Sequence, residues 1–148
     1  MSHTIDETTL RFAKVDDLAQ CMEIEYLSHE DPLHPETFLG LIGTFKVLLC
    51  VVDGQVLGYV IYSYVDECLR ILITRIAVYP SCRQRGIGSK LMQHCVDSAG
   101  GAGVTTGVVD FVMIPNDAPI GIQPFLADHD FVLLKQAGCV SVYRKTGE

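Results

Sequence analysis

The chain has 148 residues, of which 49% are hydrophobic, and a formal net charge of −7. This length suits one domain with a buried core, so we expect a single domain over residues 1–148. The acidic balance argues against general nucleic-acid binding and favours a cationic small molecule or a basic peptide end as partner. No apolar run approaches the ~20 residues of a membrane helix and no signal peptide is visible, so we expect a cytoplasmic protein.

The cysteines are spaced without any C-x-x-C pair, and most lie within apolar runs. This pattern favours reduced, buried thiols over a disulfide or zinc framework. The histidines are scattered, and no metal site is expected. The six cysteines are Cys21, Cys50, Cys68, Cys82, Cys95 and Cys139.

The first third of the chain predicts a strand followed by two helices. Residues Leu10–Val15 alternate with period two, which is typical of a strand. Asp16 and Asp17 are expected to begin a helix that runs to about Ser28, since acidic residues suit a helix N-terminus. A short second helix is predicted over Glu36–Gly43.

The next segment predicts an antiparallel meander of three strands. Residues 47–52 form an apolar run that ends at Asp53-Gly54, a dipeptide that is strongly favoured in tight hairpins. The returning strand is predicted over Gln55–Val65, and the third strand over Cys68–Val78.

A glycine-containing turn then leads into an amphipathic helix that begins at about Ser89. Free N–H groups and the positive dipole end of a helix attract anions, and Gly86 and Gly88 let an anion approach the backbone. Arg83 and Arg85 add charge that suits phosphate oxygens. The turn therefore predicts a pyrophosphate cradle; the alternatives are an ordinary surface turn or a site for another nucleotide. The apolar face of the helix comprises Ile87, Leu91, Met92, Cys95, Val96 and Ala99.

The last third of the chain predicts one more strand and a closing hairpin. Residues Val104–Val112 follow the helix as a strand, and a helical crossover favours parallel pairing with the strand before it. A loop and a short helix are expected between Asn116 and about Asp128. The closing hairpin is predicted over residues 131–134 and 139–143.

The segment Arg83-x-x-Gly86-x-Gly88, after Ile76-Ala77-Val78-Tyr79-Pro80, resembles the acyl-CoA-binding motif of the GNAT superfamily of N-acetyltransferases. The predicted element order resembles that superfamily from end to end. The resemblance implies an α/β (α+β) fold with a central mixed, mostly antiparallel sheet of about six to seven strands, flanked by about four helices. It also implies acetyl-CoA as co-substrate, no metal, no membrane partner and a homodimer as one option.

By this resemblance, the coenzyme lies along the strand that ends at Val78 and against the glycine turn. The backbone N–H of Val78 is the implied donor to the thioester oxygen, where negative charge develops during attack. The implied coenzyme-binding residues are Ile76, Ala77, Val78, Arg83, Gln84, Arg85, Gly86, Ile87, Gly88, Ser89 and Asn116.

The catalytic groups depart from the pattern of the superfamily. Many relatives carry a glutamate at the position of Arg75 and a tyrosine at the position of Leu126. Asp110 is the next candidate for the base, with an exposed strand residue as the alternative interpretation. His129 is a candidate for the acid, with a surface residue as the alternative.

The first helix and its loop form part of the acceptor site in relatives. Polar residues there are candidate substrate contacts, and the alternative for each is a solvated polar side chain. Two functions stay open at this point: an N-acetyltransferase that acts on a primary amine by direct attack in a ternary complex, and a catalytically degenerate acyl-CoA-binding domain with a regulatory role. The candidate acceptor residues are Glu25, His29 and Glu30, together with Asp31 and His34.

Overall fold

Seven strands form one sheet in the computed structural model, which describes residues 8–65, 70–83, 85–98, 108–113, 122–138 and 140–146. The strands are β1 (Thr9–Phe12), β2 (Lys46–Val52), β3 (Gln55–Val65), β4 (Arg70–Val78), β5 (Val108–Met113), β6 (Phe131–Ala137) and β7 (Val140–Lys145). The α-helices are α1 (Leu18–Ser28), α2 (Pro35–Thr44), α3 (Ile87–Ser98) and α4 (Ile122–Asp128).

The strand order is β1-β2-β3-β4-β5-β7-β6. Strands β4 and β5 pair in parallel, and every other neighbouring pair is antiparallel. The helix α3 lies between the two parallel strands in sequence, as a crossover connection requires. The predicted mixed, mostly antiparallel sheet with four helices is therefore confirmed.

The predicted hairpin between β2 and β3 is confirmed in its backbone geometry. Asp53 has φ of 50° and Gly54 has φ of 80°, so both turn residues are left-handed. A two-residue turn with positive φ at both positions matches the twist of the strands that it joins, and Asp-Gly is among the few dipeptides that adopt it readily.

Several predicted boundaries differ from the structure. The first strand ends at Phe12 rather than at Val15, because Val15–Asp17 forms a 3-10 turn. The Asp17 carboxylate accepts hydrogen bonds from the Lys14 backbone at 2.8 Å and from both terminal nitrogens of Arg11 at 2.8 and 2.9 Å, and it makes no capping bond to α1. The helix α3 begins two residues before the predicted Ser89. Residues 68–69, 99 and 104–107 lie outside the described part of the chain.

Each face of the sheet carries its own hydrophobic core. The face covered by α3 and α4 buries Tyr62, Leu91 and Phe111, and the face covered by α1 and α2 buries Phe38 and Tyr59. The described cysteines Cys21, Cys50, Cys82 and Cys95 are buried and free, as predicted, whereas Cys68 and Cys139 lie outside the described residues. Burial raises the pKa of the Cys95 thiol to about 12, so this thiol stays protonated at neutral pH.

The parallel strands pair over only part of their length. Arg70 to Ile73 of β4 pair with residues 108–111 of β5, whereas β4 continues to Val78. The β3–β4 register shifts at the same place, where Tyr62 pairs with Ile73 and Ile61 pairs with Arg75, so that Thr74 is an extra residue. Such a bulge bends its strand. The second half of β4 is therefore positioned to line an opening beside β5.

Candidate active site

A cleft of about 690 Å³ opens beside the second half of β4. Its walls come from the end of β4, the turn after it, the first turn of α3, and α4. Of the predicted coenzyme residues, those that line the cleft are Ile76, Ala77, Val78, Arg83, Gly86, Ile87, Gly88 and Ser89. Arg85 is exposed and does not line it, and Gln84 and Asn116 lie outside the described residues.

The glycine turn at the start of α3 has the geometry of an anion cradle. Gly86 has φ of +83°, a conformation that side chains other than glycine rarely adopt. Its carbonyl accepts the Lys90 N–H at 3.0 Å, so the N–H groups of residues 87–89 in the first turn of α3 have no helical acceptor. These donors and the positive dipole end of α3 therefore lie together in the cleft wall.

The helix α4 supplies the opposite wall, which the motif did not predict. A Cβ on Gly88 would lie 3.1 Å from the Phe125 ring, so α4 packs tightly against the start of α3. The His129 ring packs against the Phe125 ring at a tilt of 46° with a centroid distance of 4.5 Å, and its Nε2 lies 3.0 Å from Ser89 Oγ. His129 thus lies at the α3 end of the cleft. The sequence signal for this wall was weak, because Phe125 and His129 belong to no fixed motif.

The Arg83 side chain connects two elements instead of extending into solvent. Its Nε donates to the Val78 carbonyl at 3.2 Å, and its Nη2 donates to Ser28 Oγ at 3.1 Å. The end of β4 and the end of α1 are thereby joined through one guanidinium at the edge of the cleft.

Glu25 lies at the centre of a buried polar cluster on the α1 side of β4. Its two oxygens share the Arg75 Nε–H at 3.0 and 3.1 Å, and one of them also accepts a bond from Arg75 Nη2 at 2.5 Å. The carboxylate accepts further bonds from the Leu33 N–H at 2.7 Å and from the Tyr59 hydroxyl. The His29 Nε2 lies 3.5 Å from the same carboxylate. Burial acts to raise the pKa of Glu25, but the donors from Arg75, Tyr59 and Leu33 prevail and lower it.

The interpretation as solvated side chains is wrong for two of the acceptor candidates. Glu25 is 0% exposed and His29 is 6% exposed, whereas Glu30 lies at the surface. The bond between Tyr59 and Glu25 was not predicted from the sequence. Tyr59 lies with Ile61 on the inward face of β3, and a buried phenol needs a hydrogen-bond partner, so its position on the strand was a usable signal.

Asp110 is neither an exposed strand residue nor close to the end of β4. It is 3% exposed, and its two oxygens accept bonds from Arg144 Nε at 2.7 Å and Nη2 at 3.0 Å. It pairs in register with Leu72, before the parallel strands part. Val78 lies six residues further along β4, which corresponds to ~20 Å of strand. The carboxylate also raises the pKa of Arg144.

Leu126, where the resemblance implies a tyrosine, is 1% exposed in the core beside α3. No group of three or more metal-ligating side chains is found among the described residues. In the same part of the chain, none of the helices combines the length and apolar character that a membrane crossing requires.

Comparisons with known proteins agree with the fold and with the family that the sequence resembles. The family model described as "Acetyltransferase (GNAT) family" matches residues 13–121. No match emerged from the comparison with curated protein sequences.

Solved structures similar to the chain include several N-acetyltransferases. The ribosomal-protein-S18-alanine N-acetyltransferase from Escherichia coli is 18% identical, with a TM-score of 0.71, over 93% of this chain and 90% of that one. The PaiA N-acetyltransferase from Thermoplasma acidophilum, solved with coenzyme A, is 13% identical, with a TM-score of 0.76, over 99% and 100%. The NAA60 protein from Arabidopsis thaliana, solved with a bisubstrate analogue, is 16% identical, with a TM-score of 0.71, over 93% and 96%. At these identities the likeness shows the fold.

Proposed function

Because the chain belongs to the acetyltransferase (GNAT) family, we propose that it transfers an acetyl group from acetyl-CoA to a primary amine of a small molecule or peptide. One observation carries the proposal. A cleft of about 690 Å³ beside the second half of β4 has the left-handed Gly86 and the first turn of α3 in its wall. This is the arrangement that holds a diphosphate next to an extended strand.

In this proposal, each part of the cleft wall has a separate task. The N–H groups of residues 87–89 hold the diphosphate, and the backbone of Ile76 and Val78 bonds the amides of the pantetheine arm. Asn116 is assigned to the same arm. The Val78 N–H stabilises the negative charge on the thioester oxygen while the amine nitrogen attacks the carbonyl carbon. The C–S bond then breaks, the amine loses a proton, and the thiolate of coenzyme A takes one up.

The fate of the amine proton favours an acceptor with an α-amino group. Neutralising a lysine amine of pKa about 10.4 at pH 7 takes about 4.6 kcal/mol, whereas an α-amine of pKa about 7.8 takes about 1 kcal/mol. Two of the carboxylates predicted near the reaction, Glu25 and Asp110, are each bound to an arginine. An acceptor that is partly neutral at physiological pH depends least on such a base.

A second function is favoured by the same ion pairs. With Arg75 and Leu126 at the positions where relatives carry glutamate and tyrosine, the domain can hold acyl-CoA without turning it over. In that case it acts as a regulatory acyl-CoA sensor, and its response to the coenzyme is conformational.

The two functions are separated by measuring coenzyme binding and turnover on the same protein. At a concentration of coenzyme A 100-fold above its dissociation constant, we expect the midpoint temperature of thermal unfolding to rise by about 6–8 °C. Release of free thiol is then followed with acetyl-CoA and two sets of short peptides, one with a free α-amine and one N-acetylated with an internal lysine. We expect release with the first set. Binding without release from either set would favour the sensor, and no shift at millimolar coenzyme, with a shift by ATP instead, would remove both functions.

Asp110, the base that the sequence suggested, is better explained as the partner of Arg144, because ~20 Å of strand separates it from the Val78 N–H that we assign to the thioester oxygen. Asp110→Asn should therefore leave kcat and coenzyme affinity unchanged. Arg144→Gln breaks the same ion pair but keeps the carboxylate, so it should retain turnover as well. A loss of kcat by about 100-fold in Asp110→Asn alone, the range of a lost general base, would instead assign Asp110 to catalysis.

A further inference from the structure

The contacts of Arg83 reach beyond the cleft that it lines. Its Nε and Nη2 are bonded to the Val78 carbonyl and to Ser28 Oγ, and no described residue is a partner of its Nη1. A guanidinium with two nitrogens held by protein and a third available can bind a phosphate oxygen without releasing either contact. An anion at this edge of the cleft would therefore fix Val78 and Ser28 relative to each other.

Ser28 is the last residue of α1, and the chain then enters a loop of residues 29–34 that leads to α2. Two groups of the buried cluster hold this loop. The Glu25 carboxylate accepts the Leu33 N–H at 2.7 Å, and Arg75 Nη2 donates to the Asp31 carbonyl at 3.3 Å. Because Glu25 lies one turn before Ser28 on the same helix, a restraint on the end of α1 also restrains the loop.

These contacts form a closed ring. It runs from Val78 to Arg83, to Ser28, along α1 to Glu25, across to Arg75, and along β4 back to Val78. Most of its links are buried: Ser28 is 2% exposed, Glu25 0% and Arg75 5%. The link through Arg83 is the one that borders the cleft, so it is the point at which a bound ligand can tighten the whole ring.

We propose that Arg83 is a positioning residue that couples phosphate binding in the cleft to the order of the 29–34 loop, through its contact with Ser28. The proposal rests on the proposed function, because it takes the cleft as the coenzyme site. A phosphate that immobilises the guanidinium reduces the freedom of the end of α1, and the loop opens less often. Linkage makes the effect reciprocal, so an acceptor that orders the loop also tightens coenzyme binding.

Amide hydrogen exchange of the full chain tests the coupling without knowledge of the acceptor. The peptide that contains the Leu33 amide reports opening of the 29–34 loop, and the peptide that covers residues 85–91 reports occupancy of the cleft. We expect coenzyme A to slow exchange in the 29–34 loop by about fivefold, at the lower end of typical coupling factors. Pantetheine, which has the same arm without phosphate, should leave the loop unchanged.

A variant of Ser28 and a matched control isolate the link. Ser28→Ala removes the acceptor of the Arg83 bond, so coenzyme A should still protect residues 85–91 but no longer slow exchange in the loop. Thr44→Ala removes a hydroxyl at the last residue of α2 that bonds only to its own helix, and it should behave as the native protein. We expect coenzyme affinity to fall by up to about fivefold in Ser28→Ala alone, because reciprocity sets the same factor in both directions.

Three results would overturn the proposal. In the first, coenzyme A protects residues 85–91 of the native protein but leaves hydrogen exchange in the 29–34 loop unchanged. In the second, coenzyme A still slows loop exchange in Ser28→Ala, and in the third, pantetheine slows loop exchange as much as coenzyme A does. A different failure, with no protection of residues 85–91 at millimolar coenzyme A, would count against the proposed function itself. The two failures are thus distinguishable in one experiment.

Discussion

Replacing Gly86 by valine should abolish tight binding of coenzyme A. Gly86 has φ of +83°, where a β-branched side chain is strongly disfavoured. Relief of that strain rotates the turn and moves the N–H groups of residues 87–89 away from the diphosphate. We expect the dissociation constant to rise at least about thirtyfold, which corresponds to ~2 kcal/mol of binding free energy. Isothermal titration with coenzyme A measures it.

Gly54 offers a matched control for the backbone strain. It has φ of +80° in the β2–β3 turn, and a Cβ there would meet nothing within 4 Å. Gly54→Val and Gly86→Val should therefore lower the free energy of unfolding by a similar amount, about 2 kcal/mol. The coenzyme affinity of Gly54→Val should equal that of the native protein. Equal affinity in both variants would show that the glycine turn is an ordinary turn.

The fold could be predicted from local patterns because its elements carry strong signals of their own. The Asp53-Gly54 dipeptide predicted the first hairpin, and the helical crossover after Val78 predicted the parallel pair of strands. The boundary at Phe12 could not be predicted. It depends on the Asp17 carboxylate, which binds Arg11 and the Lys14 N–H and so bends the chain early, and such a side-chain choice has no periodicity.

The candidate site was predictable where backbone supplies the chemistry and unpredictable where side chains do. A glycine turn that can bind an anion has a recognisable spacing of glycines in the sequence, so the turn at Gly86 could be predicted. The partners of Glu25 and Asp110 come from elements 50 and 34 residues away, and only the fold brings them together. The sequence alone therefore does not distinguish a carboxylate that contacts a substrate from one that forms an ion pair with an arginine.

Replacing Arg75 by methionine should be strongly destabilising. The substitution removes the guanidinium that pairs with the Glu25 carboxylate, which is 0% exposed. Removing one partner of a buried ion pair typically lowers the free energy of unfolding by about 3–5 kcal/mol. Equilibrium unfolding in urea measures the loss. Arg11→Met is the matched control, because Arg11 forms a two-bond pair with Asp17 but its side chain is 36% exposed; about 1 kcal/mol or less is expected there.

A double variant separates the loss of the pair from the loss of one partner. Glu25→Leu alone removes the carboxylate that pairs with the buried Arg75 guanidinium, so it should also be strongly destabilising. In the variant that carries both substitutions the Glu25–Arg75 ion pair is gone as a whole, and the Tyr59 hydroxyl and the Leu33 N–H lose their acceptor, at about 1–3 kcal/mol each. The double variant should be more stable than the sum of the single effects predicts, by at least about 2 kcal/mol. Additive effects would contradict a direct ion pair.

The deficit of Arg75→Met, that is, its loss in free energy of unfolding relative to the native protein, should depend on pH if the Glu25 carboxylate causes it. In the native protein the pKa of Glu25 is lowered, so its contribution is complete above the unfolded value of about 4.3 and is lost as the pH falls through the folded value. Without Arg75, burial raises the pKa of Glu25, and the charged carboxylate opposes folding at pH 7. The deficit of Arg75→Met should then shrink between pH 7 and about pH 4.5, by at most ~1.4 kcal/mol per pH unit. For Arg11→Met we expect the loss in free energy of unfolding to stay constant with pH. The same constancy in Arg75→Met would mean that lost packing, rather than an unpaired carboxylate, destabilises the variant.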